Sequence, residues 1–340
     1  MEILLDAPTP LRSTFKSSFR FKLLHFTMRG QFKIIIPVCN SCCTLFKLLE
    51  HLRQDPSVAL EDVIVVDDAS TDGTASALAR HFPEVVRLNG TGSLYWCGGI
   101  RMGMDFALTT NAPFIFWLNH DCLPDPGSFS KLLEVLEDPA VGCVSGFCRL
   151  AGDYPHNPGF KSFRPIHLPK GAKLVEADGL NGNFVGFRTD AVRKIGLPDA
   201  INFPHHGDTP YTLRFSRAGW RTLILTEARA NLDHELHRLL PTFWRVALSK
   251  QTLGLWFQWH FTSIKSLWHW KYRWKRMFWF RGTLAVVAYP ISQAITAGSI
   301  IAGVIARSLV NKEKLLLWFL RGRDESYPSD VLRKELGLQK

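Results

Sequence analysis

Acidic residues are missing from a long stretch near the C-terminal end of this 340-residue chain. No Asp or Glu occurs between Leu236 and Lys312, although eleven Lys and Arg residues lie in the same stretch. The whole chain has 41 basic and 30 acidic residues, a formal net charge of +11. The excess of base therefore belongs mostly to the C-terminal third. It predicts an anionic partner, which can be nucleic acid, acidic lipid or a phosphorylated substrate.

Other missing patterns exclude two classes of site. No G-x-G-x-x-G follows the first predicted strand, where Pro37–Cys42 stands instead, and this excludes a nicotinamide-dependent Rossmann enzyme. The seven cysteines provide no second pair at zinc-site spacing, so we expect no zinc site. The N-terminus has no long apolar core and does not resemble a secretory signal. We predict a mobile basic arm at residues 1–31, with Met28 as an alternative start.

The remaining chain alternates between strand and helix signals. Apolar runs predict buried strands at Lys33–Pro37, Val63–Val66 and Pro113–Leu118, and a helical pattern follows each of them. This alternation is typical of βαβ units and indicates an α/β fold with a mostly parallel sheet. Ligands bind at the carboxyl ends of such strands. Asp67 and Asp68 stand at the end of one of these strands and Asn119–Asp121 at the end of another, and they are therefore candidate site residues.

The C-terminal third is aromatic as well as basic. Eight of the eleven tryptophans lie after Leu240, and the 25 residues from Gly282 to Ala306 carry no charge, which is long enough to span a bilayer. Tryptophan beside Lys and Arg is typical of a membrane interface. We predict that residues 236–340 contact an anionic membrane surface, either peripherally or through one embedded segment. A helical pair packed on the rest of the protein is the alternative.

Four segments, taken in order, resemble the family 2 glycosyltransferases of the GT-A fold. They are Ile34–Asn40, Val65–Thr74, Trp117–Asp121 and Gly207–Arg214. A fifth segment, Gly92–Arg101, is similar to the rhamnosyltransferase-like branch of that family. The resemblance covers roughly residues 33–234. It implies a GT-A catalytic domain at 32–235 with a Rossmann-like, mostly parallel sheet, followed by the membrane-associating region.

The resemblance implies an enzyme that transfers a sugar, with inversion, from a nucleotide-diphosphate donor to a hydroxyl group. The acceptor would be a glycan or a lipid-linked molecule of cell-surface polysaccharide synthesis, and the location the cytoplasmic face of the membrane. The rhamnosyl-like segment favours dTDP-rhamnose, and a UDP-sugar is the alternative. No nucleic-acid partner is expected, and the oligomeric state is not indicated.

A divalent metal is part of the same implication, because the family holds one against the diphosphate with an Asp-x-Asp motif. Asp121 matches the last acid, His120 fills the middle position, and Asn119 replaces the first acid. Imidazole suits Mn²⁺ better than Mg²⁺. We therefore expect Mn²⁺ held by Asp121 and His120, with His234 matching a late metal ligand. An ion held by Asp121, the diphosphate and water alone is the alternative.

On the donor side, the resemblance assigns Pro37, Val38 and Asn40 to the loop around the base and ribose. Asp68 matches the acid that contacts the base, and Asn119 belongs to the same side of the site. Arg101, on the helix after Gly98 and Gly99, is expected to pair with the diphosphate.

On the acceptor side, Asn181, Gly182 and Asn183 match the strand that leaves room for the incoming sugar. Asp208 matches the general base that takes the proton of the acceptor hydroxyl. An N-cap of the following helix is the alternative role for Asp208. Thr209 and Pro210 occupy the place where many members have a second acid.

Two further functions stay open at this stage. A catalytically silent relative that acts as a binding partner is compatible with Asn119 and Pro210. A basic nucleic-acid-binding protein is compatible with the aromatic C-terminal third, because aromatic rings on a basic surface can stack bases. The uncharged stretch from Gly282 to Ala306 has no place in nucleic-acid binding and favours lipid.

Overall fold

The structure is a computed structural model that describes residues 30–162, 164–169, 171–233, 236–321, 323 and 327–338. Of the predicted N-terminal arm, only Gly30 and Gln31 fall within these ranges. His234, the predicted late metal ligand, lies outside the described residues.

A mixed sheet with helices on both faces forms the part of the molecule before residue 236. Its strands are β1 (Phe32–Val38), β2 (Val63–Asp67), β3 (Val86–Asn89), β4 (Phe114–Leu118), β5 (Cys122–Pro124), β6 (Val141–Arg149), β9 (Leu174–Glu176), β11 (Phe184–Arg188) and β12 (Arg221–Leu232). A small antiparallel sheet contains β7 (Gly159–Lys161), β8 (Arg164–Pro165) and β10 (Gly179–Leu180). The helices are α1 (Cys42–Arg53), α2 (Thr74–His81), α3 (Tyr95–Ala107), α4 (Ser128–Leu136), α5 (Thr189–Ile195) and α6 (Asp208–Arg217).

Four parallel strands in the order β3-β2-β1-β4 form one half of the large sheet. The other half is mixed, because β11 runs antiparallel to both β4 and β6, whereas β12 runs parallel to β6. The predicted α/β fold is thus confirmed, with parallel pairing confined to part of the sheet. The carboxyl ends of β1, β2 and β4 lie at one edge.

The central strands are buried on both faces because alternate side chains enter two different cores. Ile34 and Ile36 of β1 join the core beneath α1 and α4, whereas Ile35 joins the core beneath α3. In β4, Phe116 enters the first core and Trp117 the second. This double burial explains why these strands appear in the sequence as unbroken apolar runs.

Helix α3 lies so close to the sheet that Gly103 has no room for a side chain. A Cβ at this position would overlap Cγ2 of Ile35 and stand 3.2 Å from Cγ2 of Val66. We expect Gly103→Ala to lower the free energy of unfolding by about 1–3 kcal/mol, because the core becomes overpacked. Gly298→Ala is the control, since a Cβ there meets open space inside a helix and should stabilise by up to about 1 kcal/mol. Equal thermal unfolding midpoints for the two variants would contradict the prediction.

The region after residue 235 is helical and packs on the same core. Its helices are α7 (Thr242–Ala247), α8 (Leu253–Thr262), α9 (Trp270–Arg281), α10 (Ala285–Leu309), α11 (Lys312–Leu320) and α12 (Ser329–Glu335). Leu240, Leu316 and Leu332 belong to the core that contains β1 and α1. The Glu335 carboxylate accepts hydrogen bonds from the backbone N–H groups of Leu236 and His237, both at 2.9 Å. A domain boundary at 235 stays a prediction.

The stretch Trp270–Leu309 is, among the described residues, the one helical stretch whose length and composition suffice to cross a membrane, because it contains an 18-residue segment with a mean hydropathy of 1.6. Within it, α10 buries Thr296, Ile300 and Gly303 against the protein. Gly303 lies against Val246 of α7, where an added Cβ would stand 2.9 Å from the valine Cβ. The opposite face of α10 is exposed and apolar.

Candidate active site

A cavity of about 1120 Å³ opens at the carboxyl ends of β1, β2 and β4. The predicted donor residues Pro37, Val38, Asp68 and Asn119 line this cavity. The predicted acceptor residues 181–183 and Asp208 line it as well, together with His120 and Asp121. The structure therefore brings together, from five separate segments, ten of the thirteen residues selected from the sequence.

Asn40 and Arg101 do not line this cavity. The Asn40 carboxamide oxygen accepts a hydrogen bond from the backbone N–H of Thr71 at 2.7 Å, which ties the loop after β1 to the loop after β2. The exposed Arg101 donates from its guanidinium to the carbonyl oxygen of Pro198 at 2.9 Å. This placement does not agree with the predicted pairing of Arg101 with a diphosphate, because its guanidinium holds a loop outside the cavity.

Asp68 organises the loop that leads into α3. Its Oδ1 accepts from the N–H of Gly92 at 2.6 Å, and its Oδ2 accepts from the N–H groups of Leu94 and Tyr95 at 2.9 and 3.1 Å. A carboxylate has about four acceptor positions, so one remains for a ligand. The predicted contact between Asp68 and a nucleotide base stays a prediction. Two of these bonds, from Leu94 and Tyr95, occupy N–H groups at the start of α3.

Four non-glycine residues in the loops around the cavity have left-handed backbone conformations. They are Asn40, Ala69, Tyr95 and His206, with φ angles of 50°, 54°, 54° and 57°. Such conformations cost free energy and persist where the surrounding structure fixes them, as it often does at ligand sites. Tyr95 and His206 line the cavity, so two of these fixed conformations form part of its wall.

A chain of hydrogen bonds crosses the floor of the cavity. The indole Nε1–H of Trp96 donates to Oδ1 of Asn119 at 2.7 Å, and Nδ2 of Asn119 donates to Oδ1 of Asn183 at 2.8 Å. Nδ2 of Asn183 lies 3.3 Å from Nδ1 of His156. Because an indole can only donate, the direction of every later bond in the chain is set, and His156 accepts at Nδ1. Asn119 thus accepts one hydrogen bond and donates another, whereas an ionised Asp at this position could only accept.

Asp208 is the first residue of α6, and its carboxylate contacts the acceptor side. Its Oδ2 accepts a hydrogen bond from the N–H of Gly182 at 2.8 Å, and Gly207 holds the N-cap position of the helix. The alternative role of Asp208 as the N-cap is therefore wrong. A Cβ on Gly182 would stand 2.7 Å from the Trp96 ring and 2.8 Å from Cβ of Asp208. Only glycine allows this approach, which holds Asp208 against the floor of the cavity.

His205 and His206 precede Asp208 and are neutral at pH 7. Burial, reinforced by the neighbouring His206, lowers the pKa of His205 to about 3. Burial and then Arg276 lower the pKa of His206 to about 4. Nε2 of His206 forms a hydrogen bond with the carbonyl oxygen of Lys265 at 3.0 Å. This bond joins the loop before Asp208 to the C-terminal region.

Part of the wall of the cavity comes from the acid-free C-terminal region. Residues 265–281 place four cations there, which we call the cation wall: Lys265, Arg273, Arg276 and Arg281. Helix α9 is fixed over the cavity because Lys275 donates to Oδ1 of Asn202 at 2.7 Å and the rings of Phe280 and Phe160 lie 5.7 Å apart. The stretch predicted only to contact a membrane also forms part of the site.

Residues 33–196 match the family described as glycosyl transferase family 2. This stretch is a family 2 glycosyltransferase domain. The glycosyltransferase is 28% identical over 195 residues to undecaprenyl-phosphate mannosyltransferase from Micrococcus luteus, covering 55% of this chain and 78% of the relative. The family resemblance of the sequence is confirmed, whereas the rhamnosyl branch stays a prediction.

Two solved structures are similar to this glycosyltransferase. Mannosyltransferase PcManGT from Pyrobaculum calidifontis, in complex with GDP-Man and Mn²⁺, has a TM-score of 0.48 and 16% identity, covering 92% of this chain and 87% of that one. GalNAc-T7, with UDP, GalNAc and Mn²⁺, has a TM-score of 0.51 and 10% identity, covering 78% of this chain and 54% of that one. The likeness to GalNAc-T7 shows that the two proteins share the same fold.

Within the described part of the glycosyltransferase, no three His, Cys, Asp or Glu side chains are grouped as a metal site. The amide oxygen of Asn119 already accepts from Trp96, so it is a weak ligand. Asp121 and His120 supply a carboxylate and an imidazole at the cavity. This donor set fits a divalent ion that takes its remaining ligands from a bound phosphate.

The sequence patterns missed Trp96, His156 and the cation wall of the glycosyltransferase. Trp96 stands between glycines in the segment that carries the rhamnosyl resemblance, but nothing in the sequence indicates a role for its ring. The cation wall had a signal, since a stretch without acids leaves its cations without ion-pair partners of its own. That signal predicts an anionic partner but does not show that these cations line the cavity.

Proposed function

We propose that this glycosyltransferase transfers a sugar, with inversion, from a nucleotide-diphosphate donor to a hydroxyl group of a glycan or lipid-linked acceptor. The observation that carries the proposal is the single cavity that Pro37, Val38 and Asp68 line together with Asp208. A nucleotide-sugar is long and needs a base site and a reacting centre in one cavity. The undecaprenyl-phosphate mannosyltransferase relative supports a lipid-linked acceptor over a free glycan.

Asp208 is the general base in this mechanism. The N–H of Gly182 holds one carboxylate oxygen, which fixes the orientation of the other. That oxygen takes the proton from the acceptor hydroxyl as the hydroxyl oxygen attacks the anomeric carbon. The bond from that carbon to the diphosphate breaks, and the diphosphate leaves with the electron pair. Attack opposite to the leaving group inverts the anomeric centre.

A divalent metal is part of the proposal, with Mn²⁺ preferred over Mg²⁺. Asp121 and His120 are the described residues that would hold it, and His120 favours Mn²⁺ because imidazole is a softer ligand than oxygen. The Mn²⁺ in the GalNAc-T7 structure supports a divalent ion. When bound, the ion would supply positive charge beside the diphosphate.

We also propose that the enzyme lies on the membrane at the cytoplasmic face. Most of the exposed large apolar side chains in the described part of the chain follow residue 250. Five of the seven that lie on α10 form one stripe at helical spacing: Val287, Ile291, Ile295, Ile305 and Leu309. Since the other face of α10 is packed on α7, the helix is placed to lie in the membrane surface.

Nucleotide binding tests the donor assignment. We expect UDP, dTDP or GDP to raise the thermal unfolding midpoint of the detergent-solubilised protein by several degrees. A ligand at a hundred times its dissociation constant adds about 2.7 kcal/mol to the free energy of unfolding. NAD is the control and should cause no shift.

Each nucleotide is measured with Mn²⁺, with Mg²⁺ and with a chelator. A larger shift with Mn²⁺ than with Mg²⁺ is the expected result. A shift that the chelator does not reduce would remove the metal from the proposal. The absence of a shift with every nucleotide would contradict the donor site itself and favour the catalytically silent relative.

A further inference from the structure

The sheet side of the cavity offers few donors to a diphosphate. Arg101 binds the Pro198 carbonyl oxygen outside the cavity. At the start of α3, the N–H groups of Leu94 and Tyr95 are held by Asp68, and that of Cys97 donates to the carbonyl oxygen of Pro204 at 3.0 Å. The positive end of this helix is therefore largely occupied by the protein itself.

The cation wall lines the same cavity as the predicted base site and Asp208, and its members are near both. At one end, burial and then Asp68 raise the pKa of Cys39, and Lys265 is close enough to oppose them. Cys39 follows Val38 of the base site. At the other end, burial and then Arg273 lower the pKa of Arg276 to about 10, and Asp208 is near enough to raise it.

Arg273 and Arg276 are held in place without a carboxylate partner from their own region. Arg273 stacks on the Trp268 ring at 4.4 Å, and its buried Nε has no hydrogen-bond partner among the described residues. Arg276 donates to the carbonyl oxygen of Leu267 at 2.5 Å. Two partly buried guanidinium groups at one cavity wall repel each other unless an anion lies between them.

We propose that Lys265, Arg273 and Arg276 bind the donor's diphosphate, so that the C-terminal region completes the donor site. This inference rests on the proposed function. The wall takes the role that the sequence assigned to Arg101. It neutralises the charge that develops on the leaving diphosphate, beside the metal if one is bound. The C-terminal region is then needed for catalysis as well as for membrane contact.

The test compares a nucleoside diphosphate with its nucleoside, using UDP and uridine, dTDP and thymidine, or GDP and guanosine, according to which diphosphate binds. Calorimetric titration of the full chain in detergent gives both dissociation constants. We expect Arg273→Gln with Arg276→Gln to weaken diphosphate binding by about tenfold or more, because hydrogen bonds to charged groups are lost. Nucleoside binding should stay within about twofold of wild type, because the base site is unchanged.

Lys271→Gln is the matched control, since this exposed cation lies on the same helix but outside the cavity. Lys265→Gln is a second test variant at an exposed position, where a folding defect is not expected. We expect it to weaken diphosphate binding by roughly threefold to tenfold. Unchanged diphosphate binding in both test variants would overturn the proposal.

A lipid-borne phosphate of the acceptor is the competing source of the anion. The same titrations are therefore repeated with undecaprenyl phosphate in detergent micelles, with undecaprenol as the phosphate-free control. Weaker binding of the lipid phosphate alone, with unchanged diphosphate binding, would overturn the donor assignment and give the wall to the acceptor. If the wild-type chain bound no diphosphate at all, the proposed function would fail first, and that result is separate from any effect of the variants.

Discussion

Asp208→Asn is expected to lower the rate of sugar transfer by about 100- to 10,000-fold, the range that general-base catalysis contributes. The amide cannot take the proton of the acceptor hydroxyl. Its oxygen can still accept from the N–H of Gly182, so the loop and the floor of the cavity should keep their geometry. The measurement is the initial rate of nucleoside diphosphate release from a donor, with a membrane lipid and glycan extract as the source of acceptor.

Two further measurements separate loss of the base from loss of structure. The dissociation constant for the nucleoside should stay within about twofold of wild type, because Asp208 lies on the acceptor side and the base site is unchanged. Asp138→Asn is the control, because this exposed acid lies at the surface with Arg221 at 3.2 Å and should retain full activity. An Asp208→Asn rate above about a tenth of wild type would show that Asp208 is not the base.

The residues at strand ends were found from the sequence because the signal is local. The apolar runs that become β1, β2 and β4 fix where each strand stops, and parallel strands bring their carboxyl ends to one edge. Asp68, Asn119 and Asp121 therefore lie on one cavity in the structure, as their positions after the strands predicted. The signal for Asp208 is of another kind, since it is the match of Gly207–Arg214 to a family motif that predicts its role.

The arrangement of the remaining parts depends on contacts between distant segments. β11 lies between β4 and β6 and runs opposite to both, which no periodic pattern records. The sequence also places Arg101 on α3 correctly but does not show that its guanidinium is used by Pro198. Helix α9 reaches the cavity only through contacts such as Lys275 with Asn202. The basic composition of α9 predicts that it binds an anion, but it does not indicate which anion.

Three acidic substitutions on the exposed face of α10 should release the protein from membranes. Val287, Ile291 and Ile295 are 63%, 53% and 64% exposed and lie at four-residue spacing on one face. Full burial of one such side chain in an apolar phase gains about 1.5–3 kcal/mol, so replacing all three by Glu should lower the partition into vesicles by about 100-fold or more. The measurement is flotation with vesicles of equal parts phosphatidylglycerol and phosphatidylcholine.

Charge alone also weakens binding to anionic lipid, so the control must add the same charge elsewhere. The control variant carries three Glu substitutions at exposed positions before residue 236: Gln54→Glu, Ala79→Glu and Asn111→Glu. It should leave flotation largely intact.

If the α10 variant still floats and high salt releases it, the basic residues attach the protein to the membrane and the apolar stripe does not. If neither salt nor alkaline wash releases the wild type, α10 is embedded, because a helix lying in the surface is held by a few apolar contacts. Donor binding should survive in the α10 variant, since none of the three residues lines the cavity.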